Sequence, residues 1–86
     1  MAMTRVHPIP VHVRTGWFDI RPREITWGDE RFPVLGVASI RDETSAYSVN
    51  TGPRVLFEVQ TPSARLALSF RPRGRRWAVE GIDRAA

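Results

Sequence analysis

Apolar residues recur at every second position in several stretches of the chain. Val11 and Val13 alternate with His12 and Arg14, and Ile25 and Trp27 share one side of Glu24 to Trp27. Val55, Phe57 and Val59 alternate up to Thr61-Pro62-Ser63, and Leu66, Leu68 and Phe70 follow. Trp77 and Val79 repeat the pattern in a last stretch from Arg76 to Asp83, where Gly81 shifts the phase so that Ile82 also turns in. A period of two sends successive side chains to opposite faces of an extended strand, so each stretch predicts a strand with one buried face. No window shows a sustained helical period, and seven prolines are spread along the chain. The pattern predicts an all-β fold: five or six antiparallel strands in a meander, rolled into a small open barrel of the SH3-like kind. Trp27, Phe57, Leu68, Phe70, Trp77 and Val79 are its expected core.

Turn residues punctuate these strands. Thr15-Gly16 ends the first, and Gly28-Asp29 supplies a hairpin turn, because both residues tolerate the left-handed backbone that tight turns need. Arg31 to Ile40 is the longest strand candidate, with Phe32 and Val34 inward. Pro33 has no amide hydrogen for a ladder, so its position must face an edge or a bulge. Val34, Leu35, Val37 and Ile40 then break the period of two, and a bulge near Gly36 would absorb the slip. Residues 41–53 read as a polar loop that has room for a short strand at Ala46 to Val49 within it. Residues 1–10, with Pro8 and Pro10, read as an extended or mobile arm, which leaves 11–84 as a single small domain.

Size limits what this domain can do. A chain of 86 residues buries only about 60–65% of the surface its unfolded form exposes, so its core is thin. A large interior cofactor site would consume that core, and none is expected. There is no cysteine, so neither disulfides nor thiolate metal sites reinforce it. A second copy or a protein partner would complete such a core, which makes a homodimer one expectation.

Charge adds a second theme. All thirteen basic residues are arginine, and the net charge is +4. Arginine's planar fork pairs bidentately with carboxylates and phosphates, which suits acidic proteins or nucleic acid. A composition bias toward alanine, glycine, proline and arginine explains the same count without any ligand. The N-terminal stretch has no apolar signal-like region and no segment long enough to cross a bilayer, so a cytoplasmic location and no membrane partner are expected.

Candidate chemistry is sparse. His7 and His12 are the only imidazoles, and no Asp or Glu lies in the first eighteen residues to complete a metal site. They read as solvent-facing histidines on an edge strand. The pairs Asp29-Glu30 and Asp42-Glu43 point to opposite faces of an extended chain and do not converge on one atom. Ser45, Ser48, Thr51, Ser63 and Ser69 have no histidine nearby, and no glycine-rich phosphate loop is present. The expectation is a protein that is not an enzyme, with no catalytic residue, metal or cofactor.

One cluster stands out. Arg71, Arg73, Arg75 and Arg76 crowd the tip of the last predicted hairpin, followed at once by Trp77. They form a candidate nucleic-acid or anion site, in which the four guanidinium groups would clasp phosphates and Trp77 would offer a stacking face. The competing reading is a solvated turn, with Trp77 directed into the core beside Val79.

The run Pro22, Ile25, Trp27, Arg31, Phe32, Val34, Val37, then Phe57, Val59, Leu66 and Leu68, then Trp77, Val79, Ile82 and Asp83 resembles a small uncharacterised bacterial β-domain family. That family occurs alone in actinobacteria and at the C-terminus of Y-family polymerase-like accessory proteins of damage-induced mutagenesis. The likeness covers about residues 11–84 and departs from the family at the polar loop 41–53. What it implies is a context, an accessory module near DNA repair or translesion synthesis, with no activity to transfer. The expected function is a non-enzymatic adaptor that binds a protein partner, through the edge around Pro33 and the loop 41–53. The alternative is a small-barrel protein that binds single-stranded nucleic acid through its arginine hairpin.

Overall fold

The structure, a computed structural model, describes residues 3–16, 18–42 and 53–84. These residues form one antiparallel sheet and no helix. Its strands are β1 (Thr4–Thr15), β2 (Pro22–Trp27), β3 (Glu30–Pro33), β4 (Gly36–Asp42), β5 (Val55–Gln60), β6 (Arg65–Arg71) and β7 (Arg76–Asp83). The order across the sheet is β3-β2-β1-β7-β6-β5-β4. Two meanders, β1-β2-β3 and β4-β5-β6-β7, are therefore joined where the first strand pairs with the last.

The sheet is curled into a half-barrel, and the link between its two ends suggests how. The expected single strand over Arg31 to Ile40 is broken in two. At the break the Val34 amide donates to the Arg23 carbonyl at 3.0 Å, and the Leu35 amide donates to the Gln60 carbonyl at 2.7 Å. Adjacent residues thus bond to β2, near one end of the sheet, and to β5, near the other. A connection this short ties the two ends of a seven-stranded sheet together, so the sheet has to bend. The slip in apolar phase has this strand break as its first cause, and a bulge between Val37 and Ser39 as its second.

Seven strands replace the five or six expected because this break makes two strands of one, and β1 is longer than its alternation shows. Residues 4–10, read as an arm, are the first part of β1. Thr4 and Arg5 pair with Ile82 and Gly81, and Ile9 to Val11 pair with Val79 to Trp77 around an irregular stretch between Arg5 and Ile9. Only from His12 onward does β1 also pair with β2. Among the described residues, Pro8 and Pro10 therefore lie where the strand has one neighbour, so a missing amide donor costs little.

Side chains on the inner face make the core. Ile25, Phe57, Val59, Ala64, Leu66, Leu68, Phe70, Trp77 and Val79 are buried there. Five of the six expected core residues are among them. Trp27 is the exception, half-buried and packed against the cluster. The Leu68–Val79 and Leu66–Ile82 pairs share a face although Val79 and Ile82 are three residues apart, because a bulge opposite Ala67 and Leu68 absorbs one residue. That is the phase shift expected at Gly81.

Two turns fix the hairpins that matter below. Gly28 has a φ of 63°, and Trp27 pairs with Glu30 across it, as in a two-residue hairpin loop with glycine first. At the other turn the Thr61 amide donates to the Ala64 carbonyl at 2.8 Å. The Thr61 Oγ1 donates to that same carbonyl at 2.8 Å and accepts from the Ala64 amide at 3.1 Å.

Candidate anion-binding groove

The arginine tip is the turn between β6 and β7. Arg71 pairs with Arg76 at its base, and the Arg75 amide donates to the Pro72 carbonyl at 3.2 Å across it. Gly74 and Arg75 take φ values of 81° and 50°. Left-handed backbone is free for glycine but costs a side-chain-bearing residue about 1–2 kcal/mol. The packed strands below therefore hold Arg75 in a conformation it would not choose alone.

Register shows which side chains join this tip. Ile9, Val11, Leu68, Phe70, Trp77 and Val79 face the core, so Pro10, Ala78 and Ser69, which pair in one line across β1, β7 and β6, face outward. One step further along, Arg71 pairs with Arg76. Continuing the β1–β7 register by one step sets His12 beside Arg76, and His12 pairs with Thr26. Thr26 in turn pairs with Arg31. The outer face thus carries a row across five strands: Arg31, Thr26, His12, Arg76, Arg71. At the usual strand spacing it is about 19 Å long.

Most of this row lines an open groove of about 830 Å³. Arg71, Arg75, Arg76 and His12 supply the basic groups, with Thr15, Thr26 and Ser69 as hydroxyl residues and Pro10, Ile20 and Ala78 as apolar ones. Among the described residues, no aspartate or glutamate lines it. The same face is different farther from the tip. There Arg54 pairs with Glu80 at 3.0 Å and Arg65 with Glu58 at 3.3 Å.

Of the four expected site arginines, three line the groove and Arg73 does not. Arg75 and Arg76 are exposed, whereas Arg71 is half-buried. Trp77 is 9% exposed and Phe70 is 8% exposed, so neither ring offers a face for stacking. His12 is solvent-facing as expected, but it lies between β2 and β7 and not on an edge. Its place beside Arg76 depends on the pairing of first and last strands, which local alternation does not reveal. Thr26 enters the site for the same reason, whereas Ser69 stands two residues before Arg71 on β6 and is buried.

The remaining candidates disperse. His7 is exposed on β1, and no group of three or more His, Cys, Asp and Glu that could hold a metal is found among the described residues. Asp29 sits in a turn and Glu30 on β3, whereas Asp42 ends β4. Most of the loop 41–53, with Glu43, Ser45, Ser48 and Thr51, lies outside the described residues. No helix among the described residues is long and apolar enough to cross a membrane. Comparison with family models, with curated proteins and with solved structures finds no match to this chain.

Proposed function

We propose that this chain is a non-enzymatic accessory domain that binds a partner protein by taking an acidic segment of it into the arginine groove. The observation that carries this reading is a groove with three arginines and a histidine in its lining and, among the described residues, no carboxylate. Guanidinium forks reward planar carboxylates with paired, charge-assisted hydrogen bonds. The apolar residues Pro10, Ile20 and Ala78 suit the stems of a peptide's side chains. An SH3-like small barrel is a common scaffold for such recognition, and the resemblance of the sequence to mutagenesis accessory domains supports a partner in DNA repair.

Single-stranded nucleic acid is the second reading, favoured by the same acid-free lining. Phosphates would occupy the place of carboxylates. Sequence-tolerant binders of single strands add aromatic platforms to their basic grooves, and here Phe70 and Trp77 are buried, so the protein segment is preferred.

Fluorescence anisotropy separates the two readings. A labelled glutamate-rich peptide should bind saturably at about 150 mM salt, near physiological ionic strength, and a labelled oligothymidylate should bind weakly. Submicromolar binding of the oligonucleotide alone promotes the second reading. Binding of neither ends both.

A further inference from the structure

A second recess lies on the core side of the sheet and so across it from the arginine groove. Trp27 and Phe32 from the β2–β3 hairpin, with Ala64, Leu66 and Ile82, line a space of about 280 Å³. Trp27, Phe32 and Ile82 are only partly buried although they pack on the core. The hydroxyl of Thr61 also borders the recess, but it is committed to the Ala64 backbone at 2.8 and 3.1 Å. The floor therefore offers mainly apolar surface.

Among the described residues, charge appears only at the rim. Glu30 and Arg84 both border the recess and both are exposed. Neither is in an ion pair among the described residues. Opposite charges at one mouth that do not pair leave each available to something outside. The volume falls just short of the ~300–1,000 Å³ of small-molecule sites but suits one large side chain. Glu30 and Phe32 alternate along β3, a strand at the end of the sheet.

We propose that this recess receives one large aliphatic or aromatic side chain of an extended peptide, with a cation beside it for Glu30 and an anion for Arg84. An anchor side chain in an apolar socket supplies affinity, and the two rim charges fix the peptide's direction. The recess shares no residue with the arginine groove, so this inference stands or falls separately from the proposed function.

The test is a nuclear magnetic resonance titration of the isotope-labelled full chain. The probes are the blocked peptides Lys-Gly-Leu-Gly-Glu and Glu-Gly-Leu-Gly-Lys, with a version of each carrying alanine for leucine. One order of the leucine peptide should shift the signals of Trp27, Phe32 and Ile82 saturably, and its alanine version should not. Glu30→Lys or Arg84→Glu should weaken binding by up to about fivefold, the range of an exposed ion pair. The double exchange should reverse which order is preferred. Both residues are exposed, and the dispersion of the amide spectrum verifies the fold of each variant. Absence of saturable shifts, equal shifts from the alanine peptides, an unchanged order preference in the double variant, or shifts confined to His12, Arg71 and Arg76 would each overturn the proposal.

Discussion

Phe70 and Trp77 face each other across β6 and β7, with ring centroids 4.7 Å apart and planes tilted by 36°. The next pair along the hairpin is Arg71 with Arg76. Phe57 adds a third ring, 5.4 Å from Trp77 and tilted by 39°. Tilted aromatic pairs contribute about 0.5–1.5 kcal/mol beyond the area they bury. The base of the arginine tip thus sits directly on the aromatic part of the core.

Removing the central ring should therefore be costly. Trp77→Ala is expected to lose roughly 3–5 kcal/mol, the usual range for a buried large aromatic. Domains in general have only about 5–15 kcal/mol in total, so this variant should be near the edge of folding. Urea denaturation measures the loss. An unchanged midpoint would mean that the ring is not packed as described, and that stacking on a ligand is its better role.

Gly81 should tolerate a side chain only if Met3 gives way. A Cβ built there would lie 2.7 Å from Met3 Cγ and 3.3 Å from Ala67 Cβ. In the native background Gly81→Ala should destabilise by about 1 kcal/mol, the centre of the range for point substitutions. With Met3→Ala already present, the same change should cost distinctly less, since residues in contact couple by about 0.5–3 kcal/mol. Amide exchange at Thr4 and Arg5 should accelerate in the single variant. Strict additivity would show that the N-terminal part of β1 does not rest on Gly81.

The strands with one clean apolar face were legible in the sequence. Arg76 to Asp83 is β7 residue for residue, and the stretches ending in Val59 and Phe70 are β5 and β6. Two features escaped because they depend on partners remote in sequence. Prolines at 8 and 10 argue locally against a strand, and only the one-sided pairing of β1 with β7 makes them harmless. The division of Arg31 to Ile40 is set by the bonds of Val34 and Leu35 to Arg23 and Gln60. The candidate site was half visible. Its arginines lie within one short run, and Ser69 is two residues before it on β6, but His12 and Thr26 come from β1 and β2 and meet them only through register.

The Arg54–Glu80 pair should matter more than Arg65–Glu58. Arg54 Nη1 reaches both Glu80 oxygens, at 3.0 and 3.2 Å, and the two side chains are 23% and 12% exposed. The Arg65–Glu58 contact is longer, 3.3 Å, between side chains that are 34% and 37% exposed. Exposed pairs contribute about 0–1 kcal/mol, whereas breaking a buried one costs about 3–5 kcal/mol. Glu80→Gln should thus fall between, at roughly 1–2 kcal/mol on those scales, and Glu58→Gln below about 1 kcal/mol. Thermal melts of the two variants at equal salt give the comparison, and a larger loss for Glu58→Gln would invert it.

The arginines themselves should not act alike. Arg75 and Arg76 are exposed and line the groove, whereas Arg73 is exposed on the same turn but lies outside the lining. Arg71 also lines the groove, but it is half-buried and has contacts of its own, so its removal would mix structure with binding. Replacing Arg75 and Arg76 by serine should lower affinity for a glutamate-rich peptide by at least about tenfold, since hydrogen bonds to charged groups contribute about 1.5–3 kcal/mol each. Arg73→Ser should change it little. Stability should move by no more than about half a kcal/mol per exposed turn residue, so the loss reads as binding. The same pair of variants measures the nucleic-acid reading through salt. Three groove arginines on three phosphates give a log–log salt slope of about −2 for single strands, and removing two of them should leave about −0.7. Binding to oligothymidylate with the steeper slope, lost with Arg75 and Arg76 and kept with Arg73→Ser, would place phosphates in the groove. The expected result is weak oligonucleotide binding whose slope barely responds, alongside a peptide affinity that depends on both arginines.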